Sequence, residues 1–245
     1  MKKLKVLFCA YNWVGVEIIK SALERDDISD IAVCTHIAPN NHVGNVCEIC
    51  EKHGIWYSTE NVNRIKLPFK PDIISSIYYR YIIGTEIIND CQKKIFNLHP
   101  SLLPLNRGCS SVPWAIINNE KITGITYHYI DEGIDTGKII LQAAIQISAN
   151  ETQTTLYQKC MEKGVQFWPA AFSLVKENFI GVEQDGEASY HQRNCPYEGM
   201  IDENWTLEKI ERFIRAMDYQ PYPYATYRGK EIKTIEDYLK LNPSK

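Results

Sequence analysis

The feature that most limits the fold is an alternation of apolar runs and amphipathic stretches in the N-terminal third. Lys5–Ala10 is apolar without interruption after its lysine and is flanked by charge. Val14–Leu23 then places Val14, Ile18, Ile19 and Ala22 at helical spacing. Ile31–Ile37 is rich in β-branched residues, a helix is expected over 43–53, and a short strand near Ile55–Tyr57. Pro71-Asp72 opens one more strand, Ile73–Ile77. An apolar run without polar alternation suits a strand covered on both faces. Strand–helix–strand repetition of this kind implies an α/β fold with a mostly parallel sheet and right-handed crossovers. No G-x-G-x-x-G follows the first strand, so a dinucleotide-dependent oxidoreductase lacks its fingerprint.

Composition narrows the function classes. The 245 residues are 44% apolar and 23% charged, which supports a sizeable core and argues against disorder. A net charge of -3 and a pI near 6.1 argue against broad nucleic-acid binding. No stretch approaches the roughly 18 apolar residues of a membrane span. The N-terminus has a basic cluster, but Val6–Ala10 falls short of the ~7–15 apolar residues of a signal sequence. Eight cysteines are too sparse for a disulfide scaffold. Cys47-x-x-Cys50 has no second pair at zinc-ligand spacing, and Val43, Val46, Cys47 and Cys50 share a helical face ended by Gly54. Core-facing thiols in a reducing, cytoplasmic compartment are expected, with no metal.

Further along, Ile95–His99 reads as a strand ending at Pro100, and prolines bracket the loop Ser101–Pro104. Ser111–Asn118 can be helical with Pro113 in its first turn. Ile122–Ile130 reads as a strand, with Thr126, His128 and Ile130 on one face. Asp131–Gly137 is a loop and Lys138–Ile147 a strand. A long helix is expected from about Thr154 to Glu177, with an irregularity at Trp168-Pro169. Val182–Pro196 suits a hairpin or an extended crossing segment. Thr206 caps a helix carrying Ile210, Phe213, Ile214 and Met217, and a final strand or hairpin precedes a short helix, Ile235–Leu241.

Two places carry groups with chemistry. On a strand Asn97 and His99 point to the same side, at its C-terminal end, where ligands bind in open α/β sheets. An amide N–H can stabilise an oxyanion, and an imidazole can take a proton near neutral pH. Alternatively, the pair only braces the following loop. In Asp131–Gly137, three carboxylates and two glycines make a tight acidic loop. A carboxylate beside His99 would fix its tautomer; a solvated turn is the plainer alternative.

Phe96-Asn97-Leu98-His99-Pro100-Ser101-Leu102-Leu103-Pro104, then Asn106-Arg107-Gly108, then His128 through Asp135-Thr136-Gly137, resembles the 10-formyltetrahydrofolate-dependent formyltransferases. Ser76–Ile83 is similar to that family's folate-side segment. The resemblance spans nearly the whole chain and is strongest from about Pro71 to Gln142. It implies a Rossmann-like formyltransferase core and a catalytic triad of Asn97, His99 and Asp135. Asn97 would polarise the formyl oxygen, His99 would act as general base toward the attacking amine, and Asp135 would tune His99. His128 would support the site near the acceptor. Arg80, Tyr81 and Ile82, with Asp131 and Asp135, would border the co-substrate 10-formyltetrahydrofolate.

The same resemblance bears on the acceptor. The tail elements Ile201-Asp202, Trp205, Ile214-Arg215-Ala216 and Pro221-Tyr222-Pro223-Tyr224 look like those of nucleotide-sugar N-formyltransferases. That implies residues 1–180 as the catalytic core and 181–245 as a small α+β extension with a hairpin, serving nucleotide contacts and homodimerisation. Asn106, Arg107, His128, Arg193, Tyr222 and Tyr224 are the expected acceptor contacts. The expected acceptor is a dTDP-linked amino-dideoxy sugar, with dTDP-4-amino-4,6-dideoxyglucose first, for surface polysaccharide or O-antigen. Cys109-Ser110-Ser111 departs from the bulkier or charged residues common there, which leaves the sugar open. The rivals are UDP-4-amino-4-deoxy-L-arabinose as acceptor, and a folate- or sugar-nucleotide-binding protein without catalysis.

Overall fold

The computed structural model describes residues 3–37, 45–91, 94–219 and 223–243. The elements of the first part are β1 (Leu4–Ala10), α1 (Asn12–Leu23), β2 (Ile28–Cys34), α2 (Val46–His53), β3 (Trp56–Ser58), β4 (Ile73–Ile77), α3 (Thr85–Asp90) and β5 (Ile95–His99). There follow β6 (Arg107–Gly108), α4 (Ser111–Ile117), β7 (Ile122–Tyr129), β8 (Ile139–Gln146) and α5 (Gln153–Lys176). The tail holds β9 (Tyr190–His191), α6 (Leu207–Ala216), β10 (Ala225–Tyr227), β11 (Lys230–Ile232) and α7 (Ile235–Leu241).

Seven strands form one sheet in the order β3-β2-β1-β4-β5-β7-β8. β1 pairs in parallel with β2 and β4, β2 with β3, and β4 with β5, while β5 and β7 run antiparallel. The parallel part follows from the sequence: Val6–Ala10 are all fully buried, so both faces of β1 are covered. The chain leaves β1 toward β2 and β3, then returns to add β4 and β5 on the other side. The C-terminal ends of β1 and β4 therefore flank the switch point, the place where such sheets bind ligands.

Compactness groups the chain into two units that interleave in sequence. The first comprises residues 1–99, 126–142 and 162–184. Its core packs Trp168 of α5 against Phe8 and Phe172, at 5.8 and 5.0 Å between ring centroids, and the Trp168 indole donates to Ser75 Oγ at 3.1 Å. Truncating an aromatic of this size in a packed core costs about 3–5 kcal/mol. Near the surface of this unit Asp27 accepts from Arg25 Nε and Nη2 at 2.9 and 2.8 Å and from Lys176 Nζ at 2.7 Å.

The second unit comprises residues 100–125, 143–161 and 185–245. Here α4 packs on α6, and Arg212 Nε donates to Ile117 O at 3.2 Å. Thr206 Oγ1 accepts from Lys209 N, and Ile210, Phe213, Ile214 and Met217 are buried, as their spacing predicts. β10 and β11 form the expected hairpin, and Thr234 closes a capping box at α7.

Some element expectations need correction. β2 begins at Ile28 and ends at Cys34, earlier than Ile31–Ile37, because its first half carries the exposed Ser29 and Asp30. α5 runs as one helical element through Pro169. Val182–Pro196 takes the second of its two expected forms, an extended crossing segment: Val182 bridges to Ile139, and β9 pairs in parallel with β6. Cys50 is buried as read, whereas Cys47 is only half-buried; burial pushes both thiols up, Cys50 to about 12.

Candidate active site

The antiparallel pairing of β5 with β7 sets Asn97 directly opposite His128, and His99 opposite Thr126. Opposite residues share a face, and so do residues two apart. Asn97, His99 and His128 therefore converge for reasons of register alone. The loop after β7 adds Asp135, held at a φ of 54°, a backbone region that aspartate tolerates better than most residues.

That loop is braced at several points. Asp131 Oδ1 accepts from Gly133 N at 3.1 Å and from Thr136 Oγ1 at 2.6 Å. Gln184 Nε2 donates to the carbonyls of Asp135 and Gly137, each at 2.8 Å. A Cβ at Gly137 would come within 1.8 Å of Tyr129 O, so only glycine lets the loop return this close to β7.

Asp135 lies between two imidazoles. Its Oδ2 is 3.4 Å from His99 Nδ1, and its Oδ1 is 3.4 Å from His128 Nε2. His128 Nδ1 lies 2.8 Å from Tyr129 O, a carbonyl that can only accept, so the His128 proton sits on Nδ1. His128 Nε2 in turn lies 3.3 Å from Asn97 Nδ2 as well as 3.4 Å from Asp135 Oδ1. With a proton on Nδ1 facing Asp135, His99 keeps a lone pair on Nε2 that can take a proton. The side chains of His99 and His128 are 4% and 3% exposed, so this polarity works away from bulk water. The assembly offers an amide N–H and an imidazole base on one face, with a carboxylate behind the base.

The residues expected on the folate side fall in two places. Asp131 lines a cavity of about 360 Å³ together with Thr85, Ile88, Asn89, Ile130, Glu132 and Gly133. Arg80, Tyr81 and Ile82 lie just before α3. Arg80 stacks over the Tyr81 ring at 5.4 Å, Ile82 is 81% exposed, and its carbonyl accepts from Asn63 Nδ2. Sequence reasoning missed Thr85, Ile88 and Asn89, because α3 is only six residues long and has too few turns for a periodic signal. It also missed the end of β1, where Asn12 adopts a φ of 57° and Tyr11 stacks on His36 at 3.7 Å; the end of β4, with Tyr78 at a φ of 58°, lies in the expected folate-side segment Ser76–Ile83.

The expected acceptor contacts fall in both units. His128 belongs to the cluster around Asp135. Asn106 is fully buried, with its amide engaged by Glu120 and His191. The Arg107 guanidinium lies over the Tyr190 ring at 5.2 Å and donates to its hydroxyl. Arg193 is exposed after β9, and Tyr224 leads into β10 with Lys233 Nζ over its ring at 4.4 Å. Tyr222 lies outside the described residues. Among the described residues no group of three or more His, Cys, Asp or Glu could hold a metal ion, and no helix is long and apolar enough to cross a membrane.

Comparison with known proteins identifies the family. A GDP-perosamine N-formyltransferase from Brucella melitensis biotype 1 is 34% identical over 243 residues, covering 96% of this chain and 90% of that protein. The crystal structure of WlaRD, a sugar 3N-formyl transferase with dTDP and 5-N-formyl-THF, superposes with a TM-score of 0.78 at 24% identity, covering 95% of this chain and 86% of the other. An N-formyltransferase from Helicobacter canadensis, in complex with folinic acid and dTDP-3-aminofucose, gives 0.77 at 23% identity, with coverages of 94% and 86%. These two likenesses establish the Rossmann-like formyltransferase fold. A sequence profile of formyl transferases matches residues 41–172, the stretch that contains Asn97, His99, His128 and Asp135. With that profile and a relative matched along almost its full length, the chain belongs to the formyl transferase family.

Proposed function

We propose that this chain transfers the formyl group of 10-formyltetrahydrofolate to the amine of a nucleotide-linked amino-dideoxy sugar. The observation that carries the reading is the single carboxylate, Asp135, facing His99 Nδ1, with the Asn97 amide on the same face. The amine lone pair attacks the formyl carbon while an Asn97 N–H takes the developing charge on the formyl oxygen. The amine proton passes to His99 Nε2, and Asp135 stabilises the imidazolium that results. The carbon–N10 bond breaks, its electron pair returns to N10, and the His99 proton follows it. Tetrahydrofolate and a formamido sugar nucleotide are the products.

The cavity beside Asp131 and α3 has a volume and a mixed polar and apolar set of lining residues that suit a flat ring with polar edges, which favours it for the folate. On the acceptor, the 34% relative named for GDP-perosamine places that sugar nucleotide beside dTDP-4-amino-4,6-dideoxyglucose as the first two to try. Surface polysaccharide is the destination that such a product suits. Residues 181–245 would supply nucleotide contacts, including Arg193, Tyr222 and Tyr224, and a homodimer contact in a cytoplasmic enzyme. Sedimentation that returns a single-chain mass would remove the dimer from this reading.

The test is a panel of acceptors. Purified protein with 10-formyltetrahydrofolate is given, separately, GDP-perosamine, dTDP-4-amino-4,6-dideoxyglucose, a dTDP-3-amino-3,6-dideoxy sugar and UDP-4-amino-4-deoxy-L-arabinose. Mass spectrometry then looks for the added formyl group. Formylation of one acceptor fixes nucleotide and amine position together. Folate binding with no acceptor formylated would favour the non-catalytic reading instead.

A further inference from the structure

The second unit contains a polar chain, centred on the buried Asn106, that the chemistry above does not use. Asn106 Nδ2 donates to Glu120 Oε1 at 2.9 Å, and Asn106 Oδ1 lies 2.9 Å from His191 Nε2. A carboxylate only accepts, so Glu120 fixes which end of the Asn106 amide carries the N–H groups. The other end is then a carbonyl oxygen, and His191 must present Nε2–H to it. Burial pushes the His191 imidazole down, which favours the neutral ring with a single proton to place. That ring lies flat on Trp114, with 4.5 Å between centroids and 8° between planes. One carboxylate thus sets the orientation of an amide, the tautomer of an imidazole and the seat of that ring.

The chain of contacts ends on a short pairing. β6 and β9 contribute two residues each, Arg107 opposite Tyr190 and Gly108 opposite His191. Backbone bonds run from Arg107 N to Ser189 O at 2.8 Å and from Cys109 N to His191 O at 2.9 Å. A Cβ at Gly108 would sit 2.3 Å from His191 O, so this approach too depends on glycine. A two-residue pairing is too short to hold itself. Asn106 and His191 each belong to, or adjoin, one of its strands, and their hydrogen bond locks the two together. Arg107, next to Asn106, is the cation this pairing presents, steadied by the Tyr190 ring.

We propose that Glu120, Asn106 and His191 form a positioning relay that holds the Arg107 guanidinium in place for a phosphate of the acceptor nucleotide. The relay rests on the reading that the acceptor is a nucleotide sugar. Asn106 and His191 act through Arg107 and touch no substrate. A guanidinium held in one orientation loses less freedom on binding a phosphate than a mobile one. The relay therefore acts on acceptor affinity and leaves the formyl-transfer step alone.

The test is a double-mutant cycle on the full chain, with the acceptor that the panel selects. R107A is expected to raise the acceptor KM about tenfold with kcat within about threefold of wild type. H191F keeps a ring against Trp114 but lacks the donor, and it is expected to raise KM about as much. R107A/H191F should be no worse than R107A alone. H191Q, which restores an N–H donor, should return KM to within about twofold of wild type. The KM for 10-formyltetrahydrofolate should not move in any of them. The relay is overturned if H191F raises KM by the same factor with and without Arg107, if R107A leaves KM unchanged, or if H191Q rescues nothing. Should wild type formylate no nucleotide sugar, the acceptor reading fails separately. Nitrogen NMR of labelled histidine then still reads the relay: Nε2–H on His191 in wild type and a mixed tautomer in E120A sustain it, whereas Nδ1–H in wild type overturns it.

Discussion

The cluster around Asp135 and the chain through Asn106 are both buried polar networks, but they are assembled in opposite ways. Asn97, His99 and His128 come from two paired strands, and Asp135 sits on the loop that leaves one of them. Their geometry follows from register, and register is set by the apolar pattern of the sheet. Glu120 and Asn106 are 14 residues apart, whereas His191 lies 85 residues from Asn106 and reaches it through a pairing of two residues per strand. Their geometry follows from side-chain bonds and one close glycine contact. A reacting group needs the rigidity of the first arrangement, because small misplacements are costly at the chemical step. A group that only binds can be held by the second.

The largest expected effect separates the two networks most sharply. His99→Gln removes the base and should lower kcat by about a thousandfold with acceptor KM within a few-fold, measured by steady-state formyl transfer. A variant that instead raised KM alone would place His99 with the binding network. Next, Asn97→Ala should cost on the order of a hundredfold in kcat, since one oxyanion donor is lost. His128→Gln should cost less than Asn97→Ala, because His128 Nε2 lies against Asn97 and Asp135 and positions them. The reverse order would mean that His128 itself is the proton carrier.

A smaller effect serves as a control that touches neither network. Arg25, with Lys176, holds the Asp27 carboxyl well below the usual carboxylate range. A depressed folded-state pKa stabilises the protein above the unfolded value near 3.9, and that contribution is lost as pH falls below it. Asp27→Asn should therefore lower stability by on the order of 2 kcal/mol at neutral pH, with the two denaturation curves converging toward pH 2. Equal losses at pH 7 and pH 2 would contradict the assignment. Its kcat and both KM values should match wild type.

The contrast also explains what could be read from the sequence. The parallel sheet was legible because β1 carries the unbroken apolar run Val6–Ala10 and β4 opens on Ile73-Ile74, and α6 because its apolar residues keep a helical period above a threonine cap. Asn97 and His99 were legible as a pair two apart at a strand's end, and the following motif tied Asp135 to them. The role of Glu120 was not legible, since nothing local distinguishes it from a solvated carboxylate after α4. The pairing of Arg107 with Tyr190 spans most of the tail's connection and has no periodic signature. Asn106 looked like a contact residue because it stands in a motif, yet its amide faces inward.

The most direct test of the central claim is formyl transfer by wild type and by His99→Gln, side by side, with folate binding followed by fluorescence in the same samples. The account predicts that wild type formylates a nucleotide-linked amino sugar, while the folded variant binds 10-formyltetrahydrofolate and makes almost no product. Product formation by the variant at close to the wild-type rate would contradict it.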